Sequence, residues 1–327
     1  MDTSRRSLLK YLAGFTAGII LANQAQAQEE TSDRLGKLLP QRTLGRTGEA
    51  VTMLGAGGWH LGAMSERDAQ ETIEIALNSG VRFFDTAESY QAGGSETRLG
   101  KLLTPKYRDV IYLMTKSTAK NADDARSHLE GSLRRLNTDY LDLWLVHSLT
   151  TPEDTDSRIA NGIFEVMAEA KATGKARHIG FSGHYQPNAF VRAIESDLFD
   201  ACQMPVNLTD PNYSSFIKQV MPKLVEQNIG ILGMKSLANG GFFGGAGNMQ
   251  SGSNPKIIPD RVSVAEAINF TWSLPISVLI SGADTPAQMQ EKIDLANSFV
   301  AMEEAQRQAL IDRVADLAGN TVEFYKA

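Results

Sequence analysis

"LDLWLVHSLTTPEDTDSRIANGIFEVMAEAKATGKARHIGFS", residues 141–182, decides the fold class. It opens on an apolar run, 141–146, of strand length, and ends on a second short run, 177–181. Between them "GIFEVMAEAKATGK" has helical periodicity, places Lys171 in its last turn and closes on Gly174, which is the signature of a helix C-terminus. Two strands joined through a helix lie parallel in one sheet, because a parallel pair needs a long crossover connection.

The same rhythm extends outward in both directions past Pro40. Candidate strands fall at 52–56, 81–85, 110–115, 141–146, 177–181, 201–206, 229–234 and 276–281. Helices lie between them. "SERDAQETIEIALNSG" opens on a Ser N-cap and closes on Gly80, and "NADDARSHLEGSLRRLN" opens on Asn121. "RTLGRTGEAV", residues 42–51, has glycines at its turn and predicts a hairpin ahead of the repeats. Eight strands, each followed by a helix, predict an α/β fold, a (β/α)8 TIM barrel with an N-terminal β-hairpin. No G-x-G-x-x-G follows an early strand, which disfavours an open dinucleotide-binding sheet. One connection is too long for a turn: "ANGGFFGGAGNMQSGSNPKIIPDR", residues 238–261, follows the seventh strand and predicts a long loop on the C-terminal face, where barrels bind phosphate.

Composition narrows the function classes. The chain has 327 residues, 42% hydrophobic and 21% charged, with a formal charge of −6, the balance of an ordinary enzyme and not of a nucleic-acid binder. Its one cysteine, Cys202, excludes an intramolecular disulfide and argues against a cysteine-ligated iron–sulfur cluster. His60, His128, His178 and His184 have no metal-binding spacing, so no metal is expected. The N-terminal stretch "SRRSLLKYLAGFTAGIILA" resembles a twin-arginine export signal: Arg5 and Arg6, a short apolar run interrupted by Gly14 and Gly18, then A-Q-A. The run is shorter than the ~20 residues a membrane span needs. The expectation is a leader over residues 1–27, cleaved after Ala27, and one barrel domain over 28–327, exported already folded to the periplasm or beyond.

Three consecutive strands run into titratable residues: Asp85 in "FFDTAESY", Lys116 in "LMTKS" and His147 in "LWLVHS", with Tyr90 five residues beyond the aspartate. Residues at the carboxyl ends of neighbouring barrel strands share one mouth. A lysine there needs a carboxylate nearby, and Asp85 is one strand away.

At these residues the chain resembles the aldo-keto reductases: "FFDTAESYQAGGSE", "MTKS", "YLDLWLVHS" and "ARHIGFSGH" carry the likeness, which runs from the hairpin at Arg42 to the segment at Gly282. The resemblance implies an NAD(P)-dependent oxidoreductase acting on a small carbonyl or alcohol, with a catalytic tetrad of Tyr90, Asp85, Lys116 and His147. Hydride arriving at a carbonyl carbon leaves an oxyanion to be protonated, and a phenol of pKa ~10 is a weak acid for that task. The Lys116 ammonium is expected to lower the Tyr90 pKa; reaching ~7 would take about 3 units, or roughly 4 kcal/mol. Asp85 would hold Lys116, and neutral His147 would orient the carbonyl.

The resemblance also implies coenzyme contacts. Ser182 and Gln203 would meet the carboxamide, with Gly183 replacing the usual Asn. In "GMKSL", Met234 takes the place of a stacking aromatic, followed by Lys235 and Leu237. Gly58 and Trp59 would line the loop after the first strand. Gly282, Asp284, Gln288, Glu291 and Lys292 would meet the adenosine end, where Asp284 stands in place of phosphate-binding help. Family habit favours NADP(H), with NAD(H) the alternative. The rival reading, also drawn from the family, is a reductase-like barrel that binds the coenzyme as a regulatory or interaction subunit with little turnover.

Overall fold

The computed structural model describes residues 31–245 and 254–327. The leader reading (1–27) and the middle of the long loop lie outside the described residues. In the unit Ser32–Ala327, eight strands close into a barrel: β5 (Leu54–Gly57), β6 (Phe83–Asp85), β7 (Tyr112–Ser117), β8 (Leu141–Leu149), β9 (Ala176–Gly183), β10 (Ala201–Pro205), β11 (Gly230–Met234) and β12 (Val278–Ser281). Each pairs in parallel with the next, and β12 returns to β5. All eight predicted strands are present. Before them come two antiparallel pairs: β1 (Ser32–Asp33) with β2 (Gly36–Lys37), which the sequence did not announce, and β3 (Gln41–Thr43) with β4 (Ala50–Thr52), the expected hairpin.

The predicted helix signals form as read. Ser65 accepts the Asp68 N–H to open the helix Glu66–Asn78, Asn121 accepts the Asp124 N–H to open Ala122–Leu136, and Gly174, with φ +75°, follows Ile163–Ala172.

The strand pleat sorts side chains into two layers. Phe83, Met114, Leu143, Leu145, Ala201, Leu232, Val278 and Ile280 fill the barrel interior, where Leu44 and Val51 of the hairpin region join them. Trp144, Val146 and Phe181 face outward, into the layer between strands and helices. Two residues on from an interior position is interior again. Asp85 follows Phe83, Lys116 follows Met114, His147 follows Leu145, Gln203 follows Ala201, Met234 follows Leu232 and Gly282 follows Ile280, so one periodicity delivers six candidate residues to the same rim.

The two rims differ in their turns. Left-handed positions that precede strands are Gly80, Asn137, Gly174, Asp197 and Asn228, types that tolerate φ > 0. Those at or beyond the carboxyl ends of strands include Gln91, Ala92, Ser148, Ser214, Lys235 and Ala238, which do not favour it. Strain therefore gathers at the carboxyl ends of the strands.

Candidate active site

Lys116 is fully buried, and its three ammonium hydrogens have three acceptors: the Asp85 carboxylate in a short ion pair, the Thr86 carbonyl at 2.8 Å and the Tyr90 hydroxyl at 3.2 Å. The tyrosine oxygen thus accepts from Lys116, which leaves its own hydrogen free to donate. Burial works against the charge on Lys116, but Asp85 outweighs it and holds the ammonium above its ordinary range. Burial also lifts the Asp85 carboxyl, with Lys116 opposing.

Tyr90 departs from expectation. Its phenol is pushed above its ordinary pKa, because burial outweighs the Lys116 ammonium and the Asp85 carboxylate adds to the rise. The proximity is as anticipated; the net sign is not. In this state Tyr90 is firmly protonated, a donor and not a phenolate. Its ring meets His147 edge-on at 5.8 Å between centroids. His147 is held well below its ordinary pKa by burial and then by Lys116, so it is neutral, and its Nδ1 lies 3.5 Å from the Ser89 hydroxyl.

Asp85, Tyr90 and His147 line a cavity of about 680 Å3 at the carboxyl ends of the strands, within the range of sites that take drug-sized ligands, and Lys116 is buried behind them. Of the expected coenzyme contacts, Trp59, Ser182, Gln203, Met234, Lys235, Leu237, Gly282, Asp284, Gln288, Glu291 and Lys292 line the same cavity. Gly58 does not: it is buried beneath the wall, where a β-carbon would come within 2.0 Å of the Asp85 carbonyl oxygen, so its part is close packing. Ser182 Oγ donates to the Val146 carbonyl at 3.2 Å, which leaves its lone pairs for a ligand N–H.

Lys235 stands on the cavity wall with φ +57°, its ammonium over the Tyr325 ring at 4.8 Å, and no carboxylate among the described residues pairs with it. Burial, then Lys116, lowers its pKa to about 8. At the other end Lys292 donates to the Gly282 carbonyl, and burial lowers it also to about 8. Asp284 is 67% exposed there, 3.7 Å from His60 Nε2, and its N–H donates to Gln288 Oε1 at 2.8 Å.

Sequence reasoning missed the wall behind Lys235. His184 Nδ1 donates to the Tyr325 carbonyl at 2.7 Å, and Lys326 is wholly buried between Asp210 (2.7 Å) and Glu323 (2.8 Å). Burial lowers His184 to about 4, so it is neutral. In "VEFYK" the Lys326 partner Asp210 and the Tyr325 partner His184 lie more than 100 residues away, and local pattern carries no trace of that. Among the described residues no helix is long and apolar enough to cross a membrane, and no cluster of three or more His, Cys, Asp or Glu could hold a metal ion.

Known proteins resemble this chain in sequence and in fold. A Glycine max protein named as an aldo-keto reductase is 29% identical over 66% of this chain and 65% of its own, and the aldo-keto reductase YhdN of Bacillus subtilis is 33% identical over 59% of this chain and 61% of its own. The chain thus spans less than two thirds of the length of these curated relatives. Among solved structures, an aldo-keto reductase from Bacillus halodurans in its holo form superposes with a TM-score of 0.72 at 22% identity, over 84% of this chain and 96% of that one, a likeness of fold. The family model described as "Aldo/keto reductase family" matches residues 53–308, and the chain belongs to that family.

Proposed function

We propose that the chain is an NAD(P)(H)-dependent oxidoreductase acting on a small carbonyl or alcohol, with Tyr90 as general acid and base. The observation that carries this reading is the saturated Lys116 ammonium, which leaves the Tyr90 hydrogen as the one free to leave. The cavity fits a nicotinamide dinucleotide: it offers Lys235 for an anionic diphosphate, Ser182 and Gln203 for an amide, and apolar Met234 for a ring. When bound, that coenzyme supplies the hydride. The chain supplies the proton, from Tyr90 Oη to the carbonyl oxygen, while neutral His147 donates a hydrogen bond that orients the same oxygen.

At the adenosine end Lys292 is engaged with the Gly282 carbonyl, whereas the carboxylates of Asp284 and Glu291 line the cavity. A ribose diol suits that lining better than a phosphate dianion. This supports NAD(H), against the lean to NADP(H) that family habit gives.

Fluorescence titration tests the reading, since Trp59 is 39% exposed and lines the cavity. NADH is expected to quench at lower concentration than NADPH. Both should bind more weakly as pH rises through about 8, because Lys235 meets the diphosphate as ammonium and loses the proton above about 8. Lys235→Met should flatten most of that dependence. Quenching by neither coenzyme would refute the dinucleotide site, and binding with no turnover of any aldehyde in a panel would favour the regulatory reading.

We further propose that the precursor leaves by the twin-arginine route, which rests on Arg5, Arg6 and the A-Q-A at 25–27. Folding before export would load a coenzyme that is scarce outside. The protein would then retain it tightly and recycle it between two substrates. A precursor with lysines at positions 5 and 6 should stay in the cytoplasm; unimpaired export would refute the route.

A further inference from the structure

We propose that Arg158 is a positioning residue for the candidate catalytic imidazole, fixing the backbone bulge that carries His147. The proposal rests on the reading of His147 given above. β8 and β9 run in register through Val146 and Phe181; then β8 takes three steps to Leu149 while β9 takes two to Gly183. The extra residue is a bulge, a device that re-aims a side chain at the end of a strand. Ser148, inside it, has φ +57°. A bulge breaks the ladder, so its carbonyls need other donors.

Arg158 supplies them. It sits on the helix Pro152–Ala160, its side chain 2% exposed, and donates from Nη1 to the His147 carbonyl at 3.0 Å and from Nη2 to the Ser148 carbonyl at 3.1 Å. Nη1 also reaches the Ala119 carbonyl at 3.3 Å, three residues beyond Lys116, so one guanidinium ties the loop after β7 to the bulge in β8. Asp154, one turn earlier on the helix, holds the fork from below with two contacts of 3.3 Å, and is itself held by the Thr150 N–H and by Lys120.

The contrast with the other candidate groups is what makes Arg158 matter. Lys116 is fixed through three bonds of its own side chain. Among the described residues the one polar contact of the His147 ring is that to Ser89 at 3.5 Å. Its orientation is therefore set by the backbone beneath it, and the backbone is set by Arg158. Lysine, with one point charge, can reach one of the two bulge carbonyls but cannot fork between them.

Arg158→Met is expected to lower kcat for aldehyde reduction about 100-fold through a misplaced imidazole, and Arg158→Lys about tenfold, with the coenzyme Kd unchanged within about twofold in both. A purely structural role would lower stability and shift coenzyme binding with turnover. Nitrogen NMR of the His147 imidazole gives a readout that needs no turnover: the ring signal should shift or broaden in Arg158→Lys while that of His178, which lies against Glu49 and Asp200, stays. If Arg158→Met does not fold, the lysine variant carries the test alone. Wild-type kcat with an unchanged His147 signal in either folded variant would overturn the proposal, as would equal losses in turnover and coenzyme affinity. If the wild-type protein turns over no carbonyl, the reading of the site fails, and the NMR comparison still decides whether Arg158 positions His147.

Discussion

Tyr90→Phe is expected to lower carbonyl reduction by about 10³-fold or more while the coenzyme Kd stays within about twofold. A positioned general acid contributes about 10²–10⁴ in rate, and here no neighbour can replace it. In the variant Lys116 keeps two hydrogens on Asp85 and the Thr86 carbonyl, and, held above its ordinary pKa range, it is a poor acid for the third; His147 is well below its ordinary pKa and already neutral. The substitution keeps the phenyl ring that meets His147 edge-on and lies 4.7 Å from the Lys116 ammonium, so the fold and the coenzyme wall survive. Single-turnover reduction measured beside a fluorescence titration separates chemistry from binding. Full turnover in the variant would remove Tyr90 from the mechanism.

Lys116→Met should be costly to stability as well as to rate. It strands Asp85, 3% exposed, without its cation, and breaking a buried pair in this way costs about 3–5 kcal/mol. The pH dependence has a definite sign. An unpaired buried carboxyl has a folded pKa raised above its unfolded value of about 4, so the folded state binds the extra proton, and stability falls as pH rises above about 4. The variant should therefore lose most at neutral pH and recover toward pH 4, as urea unfolding at several pH values would show. Adding Asp85→Leu should restore much of the stability at neutral pH without restoring turnover. A single variant as stable as the parent at pH 7.5 would mean that the pair does not carry this region.

The barrel was legible because its signals are local. Each strand is a short apolar run bounded by helices whose caps, Ser65, Asn121 and Gly174, sit where the chain needs them. The clustering of Asp85, Tyr90, Lys116 and His147 was legible because a charged residue at the end of an apolar strand stands out, and the pleat does the rest. What escaped is non-local. Lys326 reads as a surface lysine until Asp210 is brought to it across 116 residues. Arg158, in "PEDTDSRIA", looks like any arginine on an exposed helix, because the bulge it supports exists only once β8 and β9 are paired. The sign of the Tyr90 shift escaped for a related reason: the ammonium could be read from the sequence, but the extent of burial opposing it could not.

The unequal rims have a consequence for how the molecule fails. Turns before the strands are made from glycine, asparagine and aspartate, and hold their backbone at little cost. At the carboxyl ends of the strands, Gln91, Ala92, Ser148, Lys235 and Ala238, of which Ser148 and Lys235 line the cavity, are held left-handed by their neighbours, at about 1–2 kcal/mol apiece. Warming would release the second set first, since local opening begins where least free energy resists it. Catalytic competence would then melt ahead of the barrel, and the temperature at which the protein stops working would lie below the one at which it unfolds.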